Sequence, residues 1–168
     1  GDQYPLVLAG RLPETDTTFF PDPLRIAREL GIADTIVTPG WVAEEDRPLL
    51  YAAATVFVYP SRYEGFGLPI LEAMACGVPC VATDVGECAE VIGDTGRIVP
   101  KQAPQQLGEA IVDLLRMPAA HRVKLGHAAR LRVVERYDIN RIVDRYVQLW
   151  RELAGVGSVS ELSFRRAA

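Results

Sequence analysis

Two glutamates, Glu64 and Glu72, stand with seven residues between them in the segment PSRYEGFGLPILEAMACGVP. Gly65 and Gly67 carry no side chain, so a ligand can come close to the backbone there. A short helix is expected from Leu68 to Cys76, with Pro69 near its start and Gly77 as its stop. The first N–H groups of such a helix lack partners and sit at the positive end of its dipole, a good seat for a diphosphate. A carboxylate accepts hydrogen bonds at both oxygens and can serve two vicinal hydroxyls, as a sugar or a ribose presents them. Glu64 just before the glycines and Glu72 one turn into the helix can thus reach opposite ends of one ligand.

Other chemistries fit the chain less well. Gly65-Phe66-Gly67 followed by a strand and Asp84 imitates a dinucleotide fingerprint, but Ile70 replaces the third glycine, Pro69 intrudes, and Gly65 stands well past Tyr59, where the preceding strand ends. His121 and His127 fall in the helical C-terminal third, away from the glycine loop, and read as solvated or structural. Arg62 reads as a surface arginine. The three cysteines, Cys76, Cys80 and Cys88, have no CxxC pairing and no histidine ligand spacing, so they read as small buried hydrophobes in a reducing cytoplasm. No metal site is expected. The formal net charge of -4 gives no field that would recruit nucleic acid. Lysine occurs only at Lys101 and Lys124, so any phosphate grip is local. No apolar run is long enough to span a bilayer, and the N-terminus lacks the pattern of a signal peptide.

The elements that must position these residues follow from alternating patterns. Pro5 to Ala9, Thr35 to Thr38, Thr55 to Tyr59, Cys80 to Thr83 and Arg97 to Val99 read as buried strands between helices, which implies an α/β fold: a Rossmann-like parallel sheet with helices on both faces. The first helix is signalled by Asp22 as N-cap, Pro23 at its first position and Gly31 past its end. A second is expected from Ala43 to Ala53, opening on Glu44, Glu45 and Asp46. The C-terminal third reads as all helix. Leu107, Ala110, Ile111, Leu114 and Leu115 mark one face, Leu125, Ala128, Ala129 and Val133 a second, and Ile139 to Leu153 a long apolar stripe that must pack on something.

With these residues in view, the chain resembles glycosyltransferase family 4, the retaining enzymes of GT-B fold, whose second domain carries the two-glutamate motif seen here as EGFGLPILE. The likeness extends through PLVLAG, LGIADTIVTPGWV, LLYAAATVFVYPSRYEGFGLPILEAMACGVPCVATDVG, EVIGDTGRIVP and ERYDINRIVDRYVQLW. It implies that Glu64, the candidate catalytic residue, contacts the hydroxyls of the donor sugar, and that Glu72 holds the ribose. Backbone amides of Gly65, Phe66, Gly67 and Leu68 would meet phosphate or sugar. Val42, in the loop from Gly40 to Glu44, would contact the base, with Trp41 beside it in the core. Glu90 is expected to be structural.

The resemblance also implies a missing half. The acceptor would be held by an N-terminal GT-B domain, and the two cations that grip the donor phosphates would lie on a first βα unit. Gly10-Arg11 imitates their motif, but Thr15 stands in the lysine's place, so the imitation reads as coincidence and the chain as a fragment. Residues 1–138 would then form a partial nucleotide-sugar-binding domain, 139–154 a helix crossing back to the absent domain, and 155–168 a loose tail. The stripe of that helix would be covered by self-association or by the chain's own body. The implied function is retaining transfer from a nucleotide diphosphate sugar to a hydroxyl, with no obligatory metal, and with recognition but no turnover in the fragment. A GT-B epimerase and a non-catalytic nucleotide-sugar-binding module are the alternatives.

Overall fold

A computed structural model describes residues 4–17 and 21–155, which fall into two compact units, one ending at Leu50 and the other starting at Tyr51. In the first unit, strands β1 (Leu6–Ala9) and β2 (Ile36–Gly40) pair in parallel, with Leu6 opposite Ile36 and Val7 opposite Val37. Helix α1 (Pro23–Glu29) links them and starts where expected: the Asp22 side chain accepts from the Leu24 amide, and Gly31 ends it at φ 67°. Thr35 closes a 3-10 turn rather than opening β2, and the strand runs on to Gly40. The two strands are not the buried runs expected from sequence, since Leu6 and Val37 are each 48% exposed. One seven-residue helix is too little to cover both faces of a strand pair.

Helix α2 (Arg47–Ala53) also begins later than expected. The Ala43 carbonyl accepts from the amides of both Asp46 and Arg47, so the acidic residues 44–46 form a turn ahead of the helix.

In the second unit, β3 (Phe57–Tyr59), β4 (Cys80–Thr83) and β5 (Arg97–Val99) form a parallel sheet in that order, with Phe57 opposite Cys80 and Val81 opposite Arg97. Helices α3 (Leu68–Ala75) and α4 (Cys88–Ile92) alternate with the strands, and α5 (Pro104–Arg116), α6 (Ala119–Arg136) and α7 (Ile139–Ala154) follow. All four residues of β4 are buried, as a central parallel strand requires. Ile70, Met74, Val81, Val91, Ile92 and Leu114 are fully enclosed, each contributing roughly 1.5–3 kcal/mol by leaving water. Helix α6 crosses the end of α3 so closely that a Cβ on Gly126 would lie 1.9 Å from the Gly77 carbonyl oxygen.

Arg132 of α6 reaches across to the end of α4. Its Nε donates to the Val91 carbonyl at 2.9 Å and its Nη2 to that of Glu90 at 2.5 Å, while the Glu90 carboxylate pairs with Arg136 at 2.7 Å. Glu90 thus has the structural role expected of it. The guanidinium fills the space above Gly93, where an added Cβ would come within 2.6 Å of the Arg132 Cζ.

Helix α7 is capped by the Asp138 carboxylate, which accepts from the Asn140 and Arg141 amides, but none of its residues is buried. Trp150 is 65% exposed, and Ile139, Val143, Tyr146, Leu149 and Leu153 are open as well. Only Ile142 and Val147 of the apolar stripe are half-buried, and the rest of it stays open among the described residues. Gly155 ends α7 at φ 65°, and residues 156–168 of the expected tail lie outside the described residues. Among the described residues, no helix is long and apolar enough to cross a membrane.

Candidate functional site at the start of helix α3

Beyond β3 the chain leaves the sheet through residues 60–63, reaches Glu64 and turns into α3. Two devices hold this loop. The Thr83 hydroxyl at the end of β4 donates to the Ser61 carbonyl at 2.6 Å and lies 3.4 Å from that of Tyr59. From the loop after β4, Gly86 lies against the Glu64–Gly65 backbone: at φ 51° its missing Cβ would be 2.2 Å from the Glu64 carbonyl oxygen and 2.6 Å from that of Gly65. Next to it the Glu87 amide donates to the Gly65 carbonyl at 3.2 Å.

The two glycines of the loop do different things. Gly67 adopts the left-handed conformation, φ 87° and ψ 48°, that starts α3, and its carbonyl accepts the Ile70 amide. Gly65 has open space where a side chain would be. No side chain caps α3, and Pro69 brings no N–H, so the polar groups at the helix entrance are backbone amides.

Each glutamate is held by a tyrosine. The Tyr59 hydroxyl donates to Glu64 Oε2 at 2.5 Å, and the Gly65 amide to Oε1 at 3.1 Å. The Tyr59 hydroxyl, joined by the amides of Gly65, Gly67 and Phe66, holds the Glu64 carboxyl below its ordinary value against a smaller opposing effect of desolvation. Burial, and then the bond to Glu64, push the Tyr59 phenol up. The Tyr51 hydroxyl donates to Glu72 Oε2 at 2.9 Å. The two phenols belong to one row of rings: Tyr51 meets Phe57 edge to face at 5.3 Å between centroids, and Phe57 stacks with Tyr59 at 6.0 Å.

The structure thus brings Glu64, Gly65, Phe66, Gly67, Leu68 and Glu72 together in the second unit. Leu68 is 62% exposed at the helix entrance, and Phe66 lies edge-on to Tyr137 beside a hollow also lined by Glu87, Glu90, Arg136 and Arg145. Val42 belongs to the first unit, half-buried in the loop between β2 and α2. Trp41, expected in the core, is 76% exposed with the Arg11 guanidinium 5.8 Å above its ring, because β2 ends in the positive-φ turn of Gly40 and delivers it to a surface loop.

His121 and His127 lie on the exposed face of α6. Burial pushes the Cys80 thiol up to about 12, leaving it inert, and among the described residues no three His, Cys, Asp or Glu groups are grouped to hold a metal. Sequence reasoning missed Tyr51, Tyr59, Thr83 and Gly86. The order Asp84-Val85-Gly86 was the one available hint, a glycine in the turn after a strand.

Parallel β-α units with this glycine loop at a helix entrance have the architecture of the GT-B glycosyltransferases. The chain belongs to the family described as Glycosyl transferases group 1, which it matches over residues 2–117. It is similar to O-antigen chain mannosyltransferase B of Escherichia coli, 50% identical over 96 residues that cover 57% of this chain and 24% of that protein. Among solved structures, sucrose-phosphate synthase from Thermosynechococcus elongatus superposes with a TM-score of 0.73 at 28% identity, over 94% of this chain and 47% of that one. Anabaena Alr3699/HepE in complex with UDP-glucose shares the fold, with a TM-score of 0.74 at 24% identity over 93% of this chain and 42% of that one. The chain spans less than half the length of each of these proteins.

Proposed function

We propose that this chain is the donor-binding half of a retaining glycosyltransferase of family 4, which takes a nucleoside diphosphate sugar and passes its glycosyl group to a hydroxyl acceptor held by an N-terminal domain. The observation that carries this reading is the pair of carboxylates, Glu64 and Glu72, each fixed by a phenol on one side of an open glycine loop. In it, Glu64 orients the donor sugar through its hydroxyls and Glu72 holds the ribose. The backbone amides from Gly65 to Leu68 meet the diphosphate, those of Gly65, Phe66 and Gly67 being shared with the Glu64 carboxylate. Negative charge grows on that diphosphate as the glycosyl bond breaks, and preorganised N–H dipoles stabilise it without having to reorganise. Glu64 acts by placing the sugar and forms no covalent intermediate. The donor-binding half alone recognises its ligand without turning it over. The names of the relatives and the UDP-glucose bound to HepE support a nucleotide-sugar ligand.

Calorimetry of the chain with UDP-glucose, GDP-mannose and ADP-glucose tests the reading. One of these donors is expected to bind, and Glu64→Ala and Glu72→Ala each to weaken it by about tenfold or more, the loss of a hydrogen-bonded charged group. Unchanged affinity in both variants sinks the assignment. In the protein joined to its acceptor domain, a glycosylated acceptor as product separates transfer from epimerisation.

A further inference from the structure

Neither glutamate is held by its own backbone alone, and the groups that hold them are arranged as one device. Phe57 and Tyr59 alternate with Val58 along β3, so their rings share a face of the strand, and Tyr51 comes to the same row from α2. All three rings are partly buried against the core cluster built around Ile70, Met74 and Val91, and the hydroxyls of Tyr51 and Tyr59 reach out to Glu72 and Glu64. Tyr51 and Glu72 are 21 positions apart in the chain, and Tyr59 and Glu64 are five apart, so the first pairing exists only in the folded sheet. A carboxylate offers about four lone-pair positions, and on each glutamate a phenol takes one of them.

We propose that Tyr59 and Tyr51 are the positioning residues of the donor site, Tyr59 aiming Glu64 at the sugar and Tyr51 aiming Glu72 at the ribose, with the Phe57 ring between them setting their spacing. The inference rests on the functional reading above. It divides the labour in a way that a merely structural role for the rings does not. Loss of the Tyr59 hydroxyl disturbs the sugar end alone, whereas loss of the Tyr51 hydroxyl disturbs the nucleoside end, which every ligand with a ribose shares.

Tyr59→Phe and Tyr51→Phe keep the rings and remove only the hydroxyls. Calorimetry of the 168-residue chain and each variant against GDP-mannose, UDP-glucose, GDP and UDP reads the division. Tyr59→Phe is expected to weaken the sugar nucleotide by about tenfold and leave the bare diphosphate unchanged, and Tyr51→Phe to weaken both by about the same factor, the usual effect of a hydrogen bond to a charged group. A carboxylate carbon NMR titration supplies a second readout that needs no ligand: Glu64 titrates at higher pH in Tyr59→Phe and not in Tyr51→Phe. Phenylalanine variants that bind like the parent, while Glu64→Ala and Glu72→Ala lose affinity, overturn the inference and leave the functional reading standing. Equal loss of sugar nucleotide and bare diphosphate in Tyr59→Phe also overturns it, since the ring is then only a structural support. A parent chain that binds none of the four ligands and no ADP-glucose either, or glutamate variants that bind normally, overturns the functional reading and the inference together.

Discussion

Gly86→Ala is a test of how the glycine loop is held. Gly86 sits at φ 51°, where a residue with a Cβ is strained by roughly 1–2 kcal/mol. The added carbon would stand 2.2 Å from the Glu64 carbonyl oxygen, and ordinary contact begins at 3.4 Å, so the backbone carrying Glu64 must retreat by about 1.2 Å. Overpacking of this kind adds roughly 1–3 kcal/mol. For a chain of this size the sum is a fall in Tm of about 5–15 °C. The larger effect falls on the ligand, since a displacement of about 1 Å in a positioning group can cost on the order of a hundredfold. Gly65→Ala is the control: it meets nothing within 4 Å and lies outside the positive-φ glycines, so it keeps the parent Tm while its methyl intrudes on the ligand's space. Differential scanning calorimetry and donor titration of both variants read the contrast. A Gly86→Ala chain that melts with the parent and binds donor equally well refutes the packing argument.

Three further outcomes are expected. Glu64 has a folded-state pKa below its ordinary 4.5, so the part of stability that its ionisation contributes is complete above that value and is lost as pH falls through the lower folded value. Donor affinity attributable to Glu64 should accordingly stay level from neutral pH down to 4.5 and fall only below it, as titration calorimetry across that range would show. Gly126→Ala, whose Cβ would collide with the Gly77 carbonyl, is expected to lower stability by about 1–3 kcal/mol in urea unfolding, by prising α6 from the end of α3. Trp150→Ser on exposed α7 should change stability by less than about 0.5 kcal/mol, because little packing is lost, and a large drop in the same assay would place an unseen partner on that face.

Where local chemistry settles structure, the sequence was readable. Asp22, Pro23 and Gly31 marked both ends of α1, and β4 and β5 matched their apolar runs residue for residue. Helix α4 escaped notice because its five residues are too few for a helical period to register. The acidic residues before α2 carried the right charge for a helix start, but the bonds to the Ala43 carbonyl put them in the turn ahead of it. At the site, Glu64, Glu72 and the glycines were visible as residue types at a spacing. The tyrosines were not, because Tyr51 and Tyr59 read simply as members of a helix and a strand, and their hydroxyl partners become evident only once Tyr51 of α2 meets Glu72 of α3 and the loop after β3 turns Glu64 back onto Tyr59. Trp41 was misjudged on size alone: a large aromatic favours burial on average, but a loop leaving β2 through Gly40 offered none.

The guanidinium lodged over Gly93 ties two distant positions into one unit of inheritance. Any side chain at 93 displaces the Arg132 guanidinium, and displacement takes a donor from each of the Glu90 and Val91 carbonyls. Among relatives that share this corner, a residue larger than glycine at 93 should travel with a shorter one at 132. In a combinatorial library randomised at both positions, survivors should therefore be correlated pairs, with few single replacements at 93.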